Sequence, residues 1–249
     1  MIFHQLLGIS KKDFFNTHWE KDLFFSSTSI QLERISTPLY EWPHKKLKEI
    51  MEQGVLWASK NSQTVDNKFF LDDTVEGMSL VEKLLCIHDD GFTVYIKSIE
   101  KFFPEVRKIV ADLETELYPM KVQFNLFMTP GGNVGLNPHF DCHDVLVWQL
   151  SGEKEWSFWK AHTQAMTDHT PSASDVKKTA SIISSQQPIV SKKISANEIF
   201  YMPRGVIHAP KAISYSSHIS IWLQAPLIES LPKEGTNESQ VNQDNFKYF

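Results

Sequence analysis

The sequence predicts a mainly β fold with helical elaboration: a double-stranded β-helix, or jelly roll, entered through N-terminal helices. Three observations carry that expectation. From residue 121 onward, short apolar runs take on the two-residue period of strands. Turn signals separate those runs at Pro130-Gly131-Gly132, Ser151-Gly152 and Pro203-Arg204-Gly205. The helical patterns all lie ahead of them, and many short strands with regular turns argue for a sandwich or barrel.

In chain order, Ser10 can cap a helix over Lys11–Phe25, with Phe14, Phe15 and Trp19 near helical spacing. Pro43 opens a second helix over His44–Gln53. Asp89-Asp90-Gly91 marks a turn, and Phe92–Ile96 after it reads as a strand. Pro104–Tyr118 is the best helix in the chain: Pro sits near its start, and Val106, Ile109, Val110, Leu113 and Leu117 form one stripe. Strands follow over Val122–Met128, Asp144–Leu150, Glu155–Trp159, Ile189–Ile194, Ile199–Met202 and Ser217–Leu223. The polar, Ser/Thr-rich stretch His162–Gln187 interrupts them and reads as a long insertion, a candidate lid. The expected organisation is one domain over residues 1–225, with the elaboration over about 1–120 and the barrel over about 121–225, then a polar tail over 226–249 that frays.

Composition narrows the function classes. The chain has 249 residues, 41% hydrophobic and 22% charged, enough to bury a core. Its net charge of −5 is a poor starting point for nucleic-acid binding, so no nucleic acid is expected. Two cysteines, Cys86 and Cys142, exclude a disulfide framework and a four-cysteine zinc site. No apolar run has the length of a membrane helix, and Lys11 and Lys12 follow the first apolar stretch rather than precede it, the wrong order for a secretory signal. A cytoplasmic protein with no membrane partner is expected. Seven Trp and 17 Phe point to a core or pocket rich in aromatic surface.

The histidines carry the chemistry. Two side chains at i and i+2 on a strand share a face, so His-x-Asp/Glu there can chelate a metal. The bare pattern is weak: about one match is expected by chance from this composition, and the sequence holds three. His18-Trp19-Glu20 lies in an expected helix, where i and i+2 diverge. His88-Asp89-Asp90 runs into a glycine turn. His139-Phe140-Asp141 opens the strand-rich half, and His208 lies far enough on to return beside it in an antiparallel barrel. Two imidazoles and one carboxylate on one face of an octahedral metal leave three positions open, as in non-haem Fe(II) oxygenases. From pattern alone, His139 reads equally well as a satisfied core histidine and Asp141 as a turn residue. Cys142 alternates away from both.

Several longer segments are familiar together. Asn137-Pro138-His139-Phe140-Asp141-Cys142-His143-Asp144, continuing through Gln149, Gly152 and Lys154 to Trp156, resembles the JmjC, cupin-like oxygenases of the ribosomal-oxygenase type. Phe200–His208, Ser217-His218-Ile219-Ser220 and Thr17-His18-Trp19-Glu20-Lys21 resemble further segments of that family, in the same order. The resemblance covers most of residues 12–225. It implies a JmjC-like fold and an Fe(II)- and 2-oxoglutarate-dependent dioxygenase that uses O2 to hydroxylate an unactivated C–H bond. By motif position it implies His139, Asp141 and His208 as iron ligands, Lys154 as partner of the distal 2-oxoglutarate carboxylate, and Asn125 at the cosubstrate site. Read without it, Lys154 after Gly152-Glu153 is a solvated hairpin lysine, and Asn125 an outward-facing strand residue. Phe127 stands where the family often has a tyrosine, and Trp222 where it often has a serine, which implies an altered cosubstrate pocket.

The ribosomal oxygenases carry helical and winged-helix regions after the barrel, for which this chain has no room. The expected substrate is therefore a small molecule or peptide: an amino acid, a peptide or a natural-product intermediate. The alternatives are a protein hydroxylase or demethylase of the ribosomal-protein type, and a metal-binding cupin that oxidises nothing. A stable homodimer would favour the protein hydroxylase or demethylase. Among the remaining residues, Arg204 reads as a brace for its turn, His218 as a structural strand histidine and His143 as a neighbour of the metal site or a solvent-facing residue.

Overall fold

The computed structural model describes residues 1–65, 77–160 and 173–224. The expected tail, and the expected insertion as far as residue 172, lie outside the described residues. The helices are α1 (Ile2–Leu7), α2 (Lys11–Thr17), α3 (Glu33–Ser36), α4 (His44–Glu52), α5 (Leu80–Asp89), α6 (Pro104–Leu117) and α7 (Ala173–Ser185). The strands are β1 (Phe24–Ser27), β2 (Leu56–Lys60), β3 (Gln63–Val65), β4 (Thr93–Ile96), β5 (Lys121–Thr129), β6 (Asp144–Ser151), β7 (Glu153–Trp159), β8 (Val190–Ser195), β9 (Glu198–Met202), β10 (Ile207–Ala212) and β11 (Ser216–Gln224).

An eight-stranded sheet runs β1-β9-β6-β11-β5-β4-β2-β3, and a three-stranded sheet β10-β7-β8 faces it. The strand pairs are antiparallel. This is the expected double-stranded β-helix with helical elaboration. β6 is buried on both faces, which is why its sequence is almost continuously apolar. Leu146 and Trp148 turn toward the helices, while Val145 and Val147 meet Trp156 and Phe158 of β7 between the sheets. On β5, Phe124, Leu126 and Met128 join the helical layer, as do Ile219, Ile221 and Leu223 on β11. The intervening positions Phe127, Thr129, His218, Ser220 and Trp222 look into the barrel.

Helix α6 buries the whole expected stripe, Val106, Ile109, Val110, Leu113 and Leu117, each side chain worth about 1.5–3 kcal/mol relative to exposure. Its Glu116 carboxylate accepts hydrogen bonds from the Ile2 and Phe3 amides at 2.5 and 3.1 Å, filling the donor groups that the start of α1 leaves free.

Three expectations are corrected. The helix begun at Ser10 stops at Thr17 rather than Phe25: Glu20 takes a φ of +55°, and Phe24 and Phe25 pair as β1 with Tyr201 and Phe200 of β9. Strands β2 and β3 were not anticipated; they join through Asn61 and Ser62, both with positive φ, the geometry of a tight two-residue hairpin. The described part of the expected insertion holds helix α7. Its Ile182 packs against Phe140, Trp159 and Ile207, so it props the strand that carries His208 from behind.

Among the described residues, no helix is long and apolar enough to cross a membrane.

Candidate metal centre

His139 and His208 sit side by side because their backbones exchange two hydrogen bonds, His139 N–H to His208 O at 3.1 Å and His208 N–H to His139 O at 2.8 Å. Their ring centroids are 4.3 Å apart. Asp141 Oδ2 lies 3.8 Å from His208 Nε2. One potential ligand atom from each of the three falls within 4.8 Å of the others, and this is the cluster among the described residues that could hold a metal ion.

The imidazoles are set for that task by their other nitrogens. His139 Nδ1 lies 2.8 Å from Asn137 O, and His208 Nδ1 lies 3.1 Å from Val206 O. A carbonyl oxygen can only accept, so each Nδ1 carries the proton and each Nε2 presents its lone pair. Burial and the neighbouring His139 pull His208 down to about 4, against the opposing pull of Asp141, so its ring is neutral at ordinary pH.

The loop before His208 is held by three distant segments. Tyr201 Oη donates a very short hydrogen bond to the buried Asp144 and accepts the Glu20 amide at 2.9 Å. Glu20 pairs with Arg204 at 2.7 Å, so Arg204 braces its turn. Gly205 N–H then reaches Asp141 O at 2.8 Å. Burial pushes the Asp144 carboxyl up to about 6 in spite of Tyr201.

A cavity of about 390 Å³ opens beside these three residues. Lys154 lines it, only 3% exposed, with Nζ 2.9 Å from Thr129 Oγ1 and 3.0 Å from His218 Nδ1. Burial alone pulls its ammonium down to about 7. The solvated-hairpin reading of Lys154 is therefore wrong for this fold. Asn125 is fully buried on the same face of β5 as Phe127 and Thr129 but does not line the cavity: its Oδ1 accepts from Ser98 N at 3.2 Å and Gln123 Nε2 at 2.7 Å. Phe127 lies parallel to His218 at 4.9 Å and against Tyr95 at 4.6 Å. His143 packs on Trp222 at 5.0 Å, and Trp222 Nε1 donates to Ser220 Oγ at 3.1 Å.

The structure thus gathers His139, Asp141, His208 and Lys154 around one cavity and leaves Asn125 outside its lining. Sequence reasoning missed Thr129, Tyr95 and the cavity role of His218. The signal for His218 was present: it shares strand phase with Ser220 and Trp222.

The JmjC domain family matches residues 100–231, just over half of the chain. The chain belongs to the JmjC domain family. This JmjC chain is 25% identical over 206 residues to the Dictyostelium discoideum protein named bifunctional lysine-specific demethylase and histidyl-hydroxylase NO66, a match that covers 80% of the chain and 39% of that relative. It is 27% identical over 132 residues to the Bos taurus protein named ribosomal oxygenase 2, covering 52% of the chain and 27% of the relative. The ribosomal oxygenase YcfD from Escherichia coli, solved with cobalt and 2-oxoglutarate, superposes with a TM-score of 0.58 at 17% identity over 90% of the chain and 54% of that structure, which establishes the shared fold. The chain spans about two-fifths or less of the curated relatives it matches.

Proposed function

We propose that this JmjC chain is an Fe(II)- and 2-oxoglutarate-dependent oxygenase acting on a side chain of a protein. The carrying observation is the donor set: two imidazoles aimed by their Nδ1–H bonds and one carboxylate, beside a cavity with a buried lysine. That set fits a divalent iron with open positions, since imidazole and carboxylate suit it and no thiolate intrudes. His139, Asp141 and His208 would hold the metal, and Lys154 would hold the distal carboxylate of 2-oxoglutarate. Bound iron and 2-oxoglutarate supply the oxidising chemistry for C–H hydroxylation. The protein's own share is orientation and exclusion of water: Val206 O and Asn137 O fix the rings, and Trp156, Phe127 and Trp222 wall the cavity.

The substrate reading changes from the one the sequence suggested. The small-molecule expectation rested on the chain being short, and a chain that matches only part of its relatives supports no such argument. Those relatives are named for lysine demethylation, histidyl hydroxylation and ribosomal oxygenation, which favours a protein side chain.

Anaerobic visible absorbance tests the reading. Fe(II) and 2-oxoglutarate together give a charge-transfer band that neither gives alone. His208→Ala abolishes it, and Lys154→Ala demands much more 2-oxoglutarate. Iron bound with no band on adding 2-oxoglutarate would sink the oxygenase and leave a metal-binding cupin. With the band established, incubation with ribosomal proteins and mass spectrometry should find one added oxygen on a side chain.

A further inference from the structure

At the tip of the β2–β3 hairpin, local physics and the residues present disagree. Lys60 pairs with Gln63 across Asn61 and Ser62, whose φ values are +50° and +63°. A two-residue turn with both central residues left-handed takes asparagine at its first position and glycine at its second. Asn61 meets that preference and Ser62 does not, since a side chain at positive φ is strained unless the residue is glycine. The hairpin tip is docked on the segment 134–137. Asn61 N–H donates to Val134 O and Ser62 N–H to Gly135 O, each at 2.9 Å, and Ser59 Oγ donates to Gly135 O at 2.9 Å. A glycine at 62 would keep its backbone bond, so the bare turn gives no reason for a serine.

What the serine adds is an acceptor. Ser62 Oγ receives the Asn137 amide hydrogen at 2.8 Å. The Asn137 side chain is held by the neighbouring turn residue, its Nδ2 donating to Asn61 O at 3.2 Å. Asn137 is therefore gripped from both residues of the turn, and Pro138 behind it confines its backbone to extended conformations. The carbonyl so placed is the one that accepts the His139 Nδ1 hydrogen at 2.8 Å. The same hairpin reaches the cavity wall through Trp57, Ser59 and Thr64, so its tip and the metal centre are two ends of one unit.

We propose that Ser62 is a positioning residue for the metal centre: its hydroxyl, together with Asn61 O, fixes Asn137 so that the Asn137 carbonyl holds the His139 ring with Nε2 turned to the metal. The inference rests on the ligand role proposed for His139 above. It adds to the site an element that contributes no ligand.

Calorimetric titration with Mn(II), run beside urea unfolding, tests it without turnover. Partners bonded directly to a ligand are worth about 10–100-fold in metal affinity. Ser62 acts through one more residue, so Ser62→Gly should weaken Mn(II) about three- to tenfold. The same change relieves the turn, so the urea midpoint should hold or rise. Ser62→Ala loses the hydroxyl but keeps the strain: its Mn(II) affinity should match that of Ser62→Gly while its midpoint lies lower. At saturating Co(II), the visible band, which reads the ligand field, should shift in both variants. Asn137→Ala, which removes the grip of Asn61, should weaken Mn(II) by a similar factor, and it decides by the same measurements if neither Ser62 variant folds. Ser62→Gly with wild-type Mn(II) affinity and a wild-type Co(II) band would overturn the proposal while His139→Ala still loses the metal. Affinity that simply follows the urea midpoint across the two Ser62 variants would also overturn it, because the serine would then serve the fold alone. Wild-type protein that binds neither metal, or His139→Ala that binds them as wild type does, would refute the ligand reading itself, and this proposal with it.

Discussion

Cosubstrate affinity should fall steeply as the pH rises through neutrality, and the structure sets the size of the fall. Burial brings Lys154 down to about 7 from an ordinary 10.5. A carboxylate needs the ammonium form, so apparent affinity scales with the protonated fraction. With that value, about nine-tenths of Lys154 is charged near pH 6 and about one-tenth near pH 8, so 2-oxoglutarate should bind about tenfold more weakly at the higher pH. A bound divalent metal nearby deepens the effect, since a second cation disfavours the ammonium further. Titration calorimetry of the Mn(II)-loaded chain in buffers of different ionisation enthalpy reads both the affinity and the proton. Above pH 7 binding should take up close to one proton; near pH 6 it should take up almost none. Lys154→Met should bind weakly at every pH with no proton uptake, and 2-oxobutyrate should show no such dependence in wild type. A flat 2-oxoglutarate affinity across this range, with no proton taken up, would refute the assignment of Lys154 as the carboxylate's partner.

Three further outcomes follow from packing and charge. Gly152 turns β6 into β7 with φ +65°, and a Cβ there would lie 1.7 Å from Tyr215 O, so Gly152→Ala should cost about 2–3 kcal/mol in urea unfolding. Leu113→Ala, in the fully buried stripe of α6, should cost about 2–5 kcal/mol by the same measurement. Tyr201→Phe strands the buried Asp144 carboxyl and should cost about 1–3 kcal/mol. Asp144 titrates at about 6 against an ordinary 3.8, so the native state holds its proton more tightly and this group's contribution declines as pH rises through that window. Losing the Tyr201 hydroxyl, which favours the carboxylate, raises the value further, so the Tyr201→Phe penalty should grow as the pH climbs past about 6. A penalty independent of pH would show that Tyr201 does not hold Asp144 as a carboxylate.

What was legible in the sequence divides along physical lines. Helix α6 was readable because its stripe and its Pro start agree, and β6, β9 and β11 because apolar runs between turn residues leave little choice. The end of α2 was not, since Phe24 and Phe25 continue the apolar pattern and only their partners on β9 make them a strand. Strand β10 was hidden by Pro210 in its middle, a residue that argues against a central strand but is tolerated in a three-stranded sheet where β10 is an edge. The cluster of ligand candidates was readable as types and spacing, whereas its adjacency needed the His139–His208 bridge, a contact with no local signature. Lys154 shows the sharpest lesson. Starting β7 at Glu155 leaves it in a turn; starting at Glu153 puts Lys154 in phase with Trp156 and Phe158, both buried, and Glu155 out in solvent. The strand period alone would then have placed a lysine in the barrel.

The segments that resemble the family are scattered over some 200 residues, and the fold shows why they travel together. Glu20 belongs to one, Asp144 to a second, Tyr201 and Arg204 to a third, and all four meet in one network. None is a ligand candidate. Their common effect is on the loop 203–206, whose Gly205 amide ties back to Asp141 O and whose Val206 carbonyl fixes the His208 ring. Two of the three ligand candidates are therefore oriented through contacts that begin in the N-terminal elaboration. Breaking the exposed Glu20–Arg204 pair should cost little stability, about 0–1 kcal/mol. It should nonetheless weaken Mn(II) binding, by about tenfold as for other groups that orient a ligand from outside. Arg204→Ala with wild-type Mn(II) affinity in a calorimetric titration would show that the loop holds its shape without the brace, and that these segments meet for folding alone.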